Sequence, residues 1–432
     1  MKKKIVIKYI LLFFFFVFIL LLFGNDNTDN IWNYGVSHAL RMGELPYRDY
    51  NSITTPLYQF IMSIGLFIYD SYLIFIIEQA ILCTIFCFIL EKLVKDNFWV
   101  VLALLLFPIF YFFFANYNFL VMLLFILLLY LEKEEKPDYL IGIVLGLLVL
   151  SKHTVGGVIL IFSLFATKDI KRSVKRLLFS LIPMMIFLIY LLITNTFMNF
   201  LDLCVFGLFD FAESNKYFSL FFISITILCL IYTIYSFIKK KDILNYYLIP
   251  AFTLLLPIID FFHTTYLFGF FIIILFTRKT FTIKRIPKVI GITIIIMICI
   301  CNTLNSKYIK NMTFSSNGHM KYVILDKDSH DYINKILKKY KSYDNSYMIS
   351  KDSMYYDVES NRKITYFDIP LYGNFGYDGV NSMIKKIDKL HNNYFFIADD
   401  SNGQFAIELN DYIRKKGKLV DKINNYEIYL LK

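Results

Sequence analysis

Apolar residues in this chain come in long runs rather than at helical or strand spacing. The first run, Ile5–Phe23, is nearly unbroken, and ten more follow at about 56–69, 72–92, 98–115, 118–131, 139–166, 177–195, 217–238, 243–261, 264–277 and 289–304. A helix needs about 20 apolar residues to cross the hydrocarbon of a bilayer. The pattern therefore predicts about eleven membrane-spanning helices within residues 1–305. From about residue 306 the pattern changes to short alternating pieces. Tyr322–Leu325, Tyr347–Ser350, Ile364–Ile369, Tyr394–Ala398 and Glu427–Leu431 read as strands. Tyr332–Tyr340, Val380–Leu390 and Ala406–Lys416 read as helices. Together they predict a small α/β domain over 306–432, with no Gly-rich phosphate loop and no metal-ligand cluster.

Composition agrees with this division. Of 432 residues, 57% are hydrophobic, 19% aromatic and only 18% charged, and mean hydropathy is +0.56. Soluble domains are about 45–50% apolar and a quarter charged. A soluble enzyme, a disordered chain and a collagen-like fibre are excluded.

Lys and Arg exceed Asp and Glu by 45 to 34, a net charge of +11. Clusters at Lys2–Lys4, Lys168–Arg176, Lys239–Lys241 and Arg278–Lys288 each border apolar runs, which marks loop charge rather than a nucleic-acid platform. With a cytoplasmic amino end and an odd number of spans, 168–176, 239–242 and 278–288 fall inside. The loops 24–55, 132–138 and 196–216 then fall outside, as does the C-terminal domain. The first run is long, and Phe23-Gly24-Asn25 lacks a small-x-small cleavage pattern, so it reads as a retained helix in a multi-pass protein of the cell membrane. The six cysteines, Cys83, Cys87, Cys204, Cys229, Cys299 and Cys301, read as small hydrophobes, with neither zinc spacing nor a disulfide framework.

The chemistry concentrates in the first external loop, 24–55. It runs through Asp26, Asp29, Trp32 and Tyr34 to Gly43-Glu44-Leu45-Pro46-Tyr47-Arg48-Asp49-Tyr50 and then Thr55-Pro56-Leu57-Tyr58. A loop of this length is functional or disordered, and its aromatics and Pro-led exit favour order. The run GELPYRDY followed by TPLY, after a first membrane helix and an acidic residue, resembles the GT-C polytopic glycosyltransferases. Within them it is most similar to the branch of protein O-mannosyltransferases and the lipid A aminoarabinose transferase. Gly142–Gly157 (GIVLGLLVLSKHTVGG) resembles that family's small-residue helix ending in Lys, and Asp260–Tyr266 (DFFHTTY) its His-bearing helix end.

The resemblance implies a GT-C-like membrane domain that transfers a hexosyl or pentosyl unit from a polyprenyl-phosphate donor. The acceptor would be an envelope glycan, lipid or protein on the external face. It implies a first-loop Asp beside the acceptor, which falls at Asp29. Family members often carry Asp-Glu there; this chain has Asp29-Asn30, which weakens a two-carboxylate metal site, and no cofactor is indicated. A carboxylate is a suitable general base for an acceptor hydroxyl, and a departing phosphate needs cations or donors. Asp29 and Asp49 are the catalytic candidates. Arg48, Lys152 and His263 are placed for the phosphate, and Tyr47 and Tyr266, in the same segments, for substrate.

Plainer readings stand beside these. Asp26 and Asp29 serve equally as solvated loop acids, Asp49 as a partner for Arg48, and His153 and His263 as interior histidines. Lys152 is costly inside an apolar run, and pairing with Glu78 would satisfy it. Three other classes also fit a polytopic chain: a transporter or flippase of lipid-linked saccharides, a polysaccharide polymerase, and a scaffold presenting the C-terminal domain.

Overall fold

The computed structural model describes residues 2–23, 28–109, 116–214, 219–239, 242–256, 258–279, 311–316, 318–340, 345–398 and 405–431. The expected span 289–304, with Cys299 and Cys301, and the loop acid Asp26 lie outside these. The chain is predominantly helical. In order it forms α1 (Lys2–Phe23), α2 (Thr28–Arg41), α3 (Leu57–Met62), α4 (Tyr72–Val94), α5 (Phe98–Ile109), α6 (Tyr117–Lys133), α7 (Asp138–Ser151) and α8 (His153–Ala166). Then come α9 (Ile170–Ile193), α10 (Phe197–Phe200), a π-helical turn (Leu201–Phe206), α11 (Gly207–Ser214), α12 (Leu220–Lys239), α13 (Asn245–Leu248), a 3-10 segment (Pro250–Leu255) and α14 (Phe261–Thr277).

Four helical segments among the described residues are long and apolar enough to cross a membrane, rather than eleven: Lys4–Leu22, Tyr72–Leu106, Ile170–Ile193 and Leu220–Lys239. The runs that differ do so for local reasons. Residues 56–69 make only the six-residue α3 and a 3-10 turn, Gly65–Phe67, with Tyr58, Gln59 and Met62 buried. The run 139–166 is two helices. Its chain breaks at Lys152, which is extended (φ −157°, ψ 99°), and reverses so sharply that a Cβ on Gly156 would lie 2.3 Å from the Leu148 carbonyl carbon. The run 243–261 is a short α turn followed by 3-10 geometry, ended by extended backbone at Leu256.

By packing, the chain forms two units that do not follow chain order. One comprises 1–24, 77–189 and 217–309; the other comprises 25–76, 190–216 and 310–432. The sequence division at 305 places the first loop with the membrane helices, whereas its packing is with the C-terminal region.

In the first unit the polar interior centres on Arg176 of α9. Its guanidinium meets Glu132 of α6 at 2.5 and 2.9 Å and Asp138 of α7 at 2.8 Å, all three residues being buried or nearly so. Tyr247 also donates to Glu132. Buried charge persists only where it is paired in this way.

The second unit holds the sheets. β1 (Met312–Phe314) and β2 (Ile324–Asp326) pair antiparallel. β3 (Ser346–Ile349), β4 (Asn393–Ile397), β5 (Lys418–Ile423) and β6 (Tyr426–Leu431) form a second sheet in the order β3-β4-β6-β5. β3 and β4 are parallel, and the remaining pairs antiparallel. The helices of this region are α15 (Lys327–Tyr340), α16 (Ser353–Ser360), α17 (Val380–Ile387) and α18 (Ile407–Lys416). An apolar core of Ile349, Phe367, Met383, Phe395, Leu409 and Ile413 joins sheet and helices. The expected α/β pieces are largely present, but Ile364–Ile369 forms no strand. The N–H of Ile364 goes to the Glu44 carboxylate, and that of Thr365 to Asp368, so neither is left for a ladder. The first loop supplies a second core, where Trp32, Val36, Ala39 and Tyr50 pack with Met354, Ile364 and Phe405.

Candidate functional site

The residues singled out from sequence fall into two groups, one in each unit. In the membrane-helix unit the group forms where two apolar segments break. α7 stops at Ser151, and the extended Lys152 points its ammonium at the Asn118 Oδ1 (3.0 Å) and the Leu256 carbonyl (2.8 Å). Leu256 is itself the break after the 3-10 segment, so a helix end whose carbonyls lack partners supplies the acceptor. Asp260 caps α14 by accepting the His263 N–H at 2.7 Å, and the same oxygen takes His263 Nδ1–H at 2.8 Å. Lys152 and Asp260 attract one another electrostatically.

These contacts fix what the group can do. Lys152 has three donors and spends two on Asn118 and Leu256, which leaves one for an anion. The Asp260 carboxylate is an acceptor, so the His263 proton sits on Nδ1 and the lone pair on Nε2. That Nε2 is buried without a hydrogen-bond partner, on a residue 7% exposed. An unsatisfied buried acceptor suits a hydroxyl donor. Tyr266 lies one turn along α14 with its ring edge-on to Phe262 at 5.0 Å. His153 is half-buried beside Lys152. Lys152 is satisfied by Asn118, Leu256 and Asp260 rather than by Glu78.

In the other unit, the first loop is a helix and a folded turn. Asp29 is exposed in the first turn of α2, where a carboxylate also favours the helix dipole. Asn30, beside it, is buried and donates to Tyr72 Oη at 2.8 Å. Arg48 and Asp49 form a two-pronged ion pair at 2.8 and 3.0 Å on the surface. Asp49 also accepts the Leu45 N–H at 2.8 Å, and the guanidinium holds its carboxyl below the usual range. Tyr47 occupies the left-handed region (φ 69°) with its ring buried and its hydroxyl donating to the Thr54 carbonyl. It therefore shapes the turn from within.

Sequence reasoning passed over Asn118, Leu256 and Asp260 as partners. Asp260 opens the same DFFHTTY segment that holds His263, and Asn116-Tyr117-Asn118 closes an aromatic run with a helix-capping residue. No sequence pattern announces the Leu256 carbonyl, because the fold alone exposes it. No family model, curated protein or solved structure matches the chain.

Proposed function

We propose that this chain is a membrane glycosyltransferase that takes a sugar from a polyprenyl-phosphate donor and passes it to a glycan, lipid or protein acceptor on the external face. The observation that carries the reading is the group at the helix breaks. A cation with one donor to spare lies within electrostatic range of a histidine whose acceptor nitrogen is buried and unpaired. A lipid phosphate matches the first and a sugar hydroxyl the second. The reading keeps the amino end cytoplasmic, because the basic stretches 168–176 and 239–242 flank apolar helices on that side.

In this scheme Lys152 binds the donor phosphate and stabilises it as it leaves, and His263 Nε2 orients the sugar by accepting from a hydroxyl. The family resemblance implies Asp29 as the base toward the acceptor, because a carboxylate can withdraw a hydroxyl proton. Asp49 serves by aiming Arg48.

A flippase for lipid-linked saccharides is favoured by one specific observation: two broken apolar segments meet where Lys152 donates to Leu256, and paired helix breaks mark transport sites. One experiment separates the two. Cells lacking the chain are complemented with wild type, Lys152→Met or Asp29→Asn, and lipid-linked sugars and envelope sugars are quantified, with a membrane-impermeant oxidant reporting the leaflet. The transferase reading expects both variants to accumulate an oxidant-accessible lipid-linked sugar while one envelope sugar disappears. Accumulation shielded from the oxidant supports the flippase. Unchanged pools in both variants refute the site.

A further inference from the structure

In the unit that contains the first loop, three residues far apart in sequence converge. His38 lies near the end of α2, Asp70 just before α4, and His319 in the turn between β1 and β2. His38 Nδ1 is 3.0 and 2.9 Å from the two Asp70 oxygens, and His319 Nδ1 is 3.5 Å from Asp70 Oδ2. One potential ligand atom from each lies within 4.8 Å of the others. A tetrahedral ion with bonds of about 2.0–2.1 Å sets its ligands roughly 3.3 Å apart. Each histidine already stands near that spacing from Asp70, at 2.9 and 3.5 Å.

The hydrogen bonds around His319 point the same way. Its Nε2 is 2.8 Å from Asn361 Oδ1, an acceptor, so that nitrogen carries the proton. Nδ1 then presents its lone pair to the Asp70 carboxylate and, at 3.3 Å, to the Asp70 carbonyl oxygen. His319 Nδ1 and the Asp70 oxygens are then acceptors facing one another, which repel unless a proton or a cation stands between them. An outer hydrogen bond that fixes the tautomer and aims the free nitrogen is how metal-binding histidines are held. Asp70 is oriented as well, by Arg41 Nη1 at 3.0 Å on Oδ2 and Tyr34 Oη at 3.3 Å on Oδ1. His38 is 2% exposed, which keeps the arrangement from bulk water.

We propose that His38, Asp70 and His319 bind a divalent transition metal of the zinc class. Two imidazoles and one carboxylate select such an ion over magnesium or calcium, which prefer all-oxygen shells. The ion ties α2, the start of α4 and the β1–β2 turn together. Its role is to hold this unit, independent of which reaction the membrane helices support.

The test uses the full-length protein in detergent, stripped with a chelator and then given zinc chloride or magnesium chloride. Elemental analysis and thermal unfolding are read in wild type and in His319→Ala. His319 is the less buried of the two histidines, and the stripped variant is checked for the same unfolding midpoint as stripped wild type. About one zinc per chain and a raised midpoint are expected in wild type, neither in the variant, and no effect from magnesium. Equal zinc uptake by wild type and variant overturns the proposal. So does a stripped wild type whose unfolding midpoint zinc leaves unchanged. If the variant lacks the stripped wild-type midpoint, His38→Gln replaces it, with the same uptake readout.

Discussion

Glu44 Oε2 accepts the main-chain N–H of Ile364 at 3.1 Å, across 320 residues of chain. The bond joins the turn of the first loop to the C-terminal region within one unit. Glu44 is 4% exposed, and burial pushes its carboxyl up to about 7. Asp357 and Asp368, both buried and hydrogen-bonded to one another, are also raised by desolvation.

Stability of this unit is therefore expected to fall as pH rises from about 4.5 through about 7. Each of these carboxyls holds its proton more tightly folded than unfolded, so the folded state binds more protons across that window. Asp70 and Asp49 are shifted the other way, and their contributions are lost only in stronger acid. Thermal unfolding at about pH 5 and about pH 8 checks the sign. Glu44→Gln, which keeps an acceptor for Ile364, is expected to flatten the profile and raise stability at about pH 8 by about 1–3 kcal/mol. A wild type more stable at the higher pH than at the lower contradicts the argument.

Arg176 is fully buried and bound to both Glu132 and Asp138. Arg176→Met leaves the Glu132 carboxylate buried without its cation, at an expected cost of about 3–5 kcal/mol. Replacing Glu132 by Leu as well removes the orphaned charge and is expected to recover much of the loss. Unfolding in detergent of the single and double variants measures this directly. A single variant as stable as wild type would mean that the pair contributes nothing.

The two glycines after Lys152 are expected to behave oppositely. A Cβ on Gly156 would sit 2.3 Å from the backbone of Leu148 and Val149, which cannot move aside without opening the reversal that positions Lys152. Gly156→Ala should lower the unfolding midpoint and abolish function together. A Cβ on Gly157 would meet nothing within 4 Å, and Gly157→Ala should be neutral or gain up to about 1 kcal/mol from helix propensity. Expression level and unfolding midpoint of the pair decide it.

The Arg48–Asp49 pair lies largely in solvent. Water and salt screen such a pair, so Arg48→Ala is expected to leave the unfolding midpoint nearly unchanged. If Arg48 contacts substrate in the proposed transferase, the same variant loses most of the activity at unchanged fold. Loss of both in proportion would instead assign Arg48 to the folding of the turn.

Much of the molecule is legible in the order of its residues. α1, α4 with α5, α9 and α12 are visible because an unbroken apolar run of that length has few soluble uses. Lys152 stands out because a charge inside such a run is costly. The strand and helix pieces around Tyr347, Val380, Tyr394 and Ala406 follow from short-range periodicity. The run 56–69 misleads because hydropathy does not say what a run packs on, and Tyr58 and Met62 are buried in the unit that holds the sheets. The fold of 139–166 hinges on Gly156, whose missing side chain permits a reversal that a hydropathy count does not register.

Residue order alone specifies a helical membrane-type protein with an α/β region, because burial of apolar surface and local backbone preference are properties of neighbouring residues. It also marks Lys152, His263, Asp29 and the Arg48-Asp49 pair as the places where charge is expensive or exposed. Which groups meet is set by the folded chain. The Leu256 carbonyl facing Lys152, His319 at Asp70, and the Glu44 carboxylate at Ile364 join residues 104, 249 and 320 positions apart. Such pairings are set by how helices break and chains return, and no local pattern encodes them.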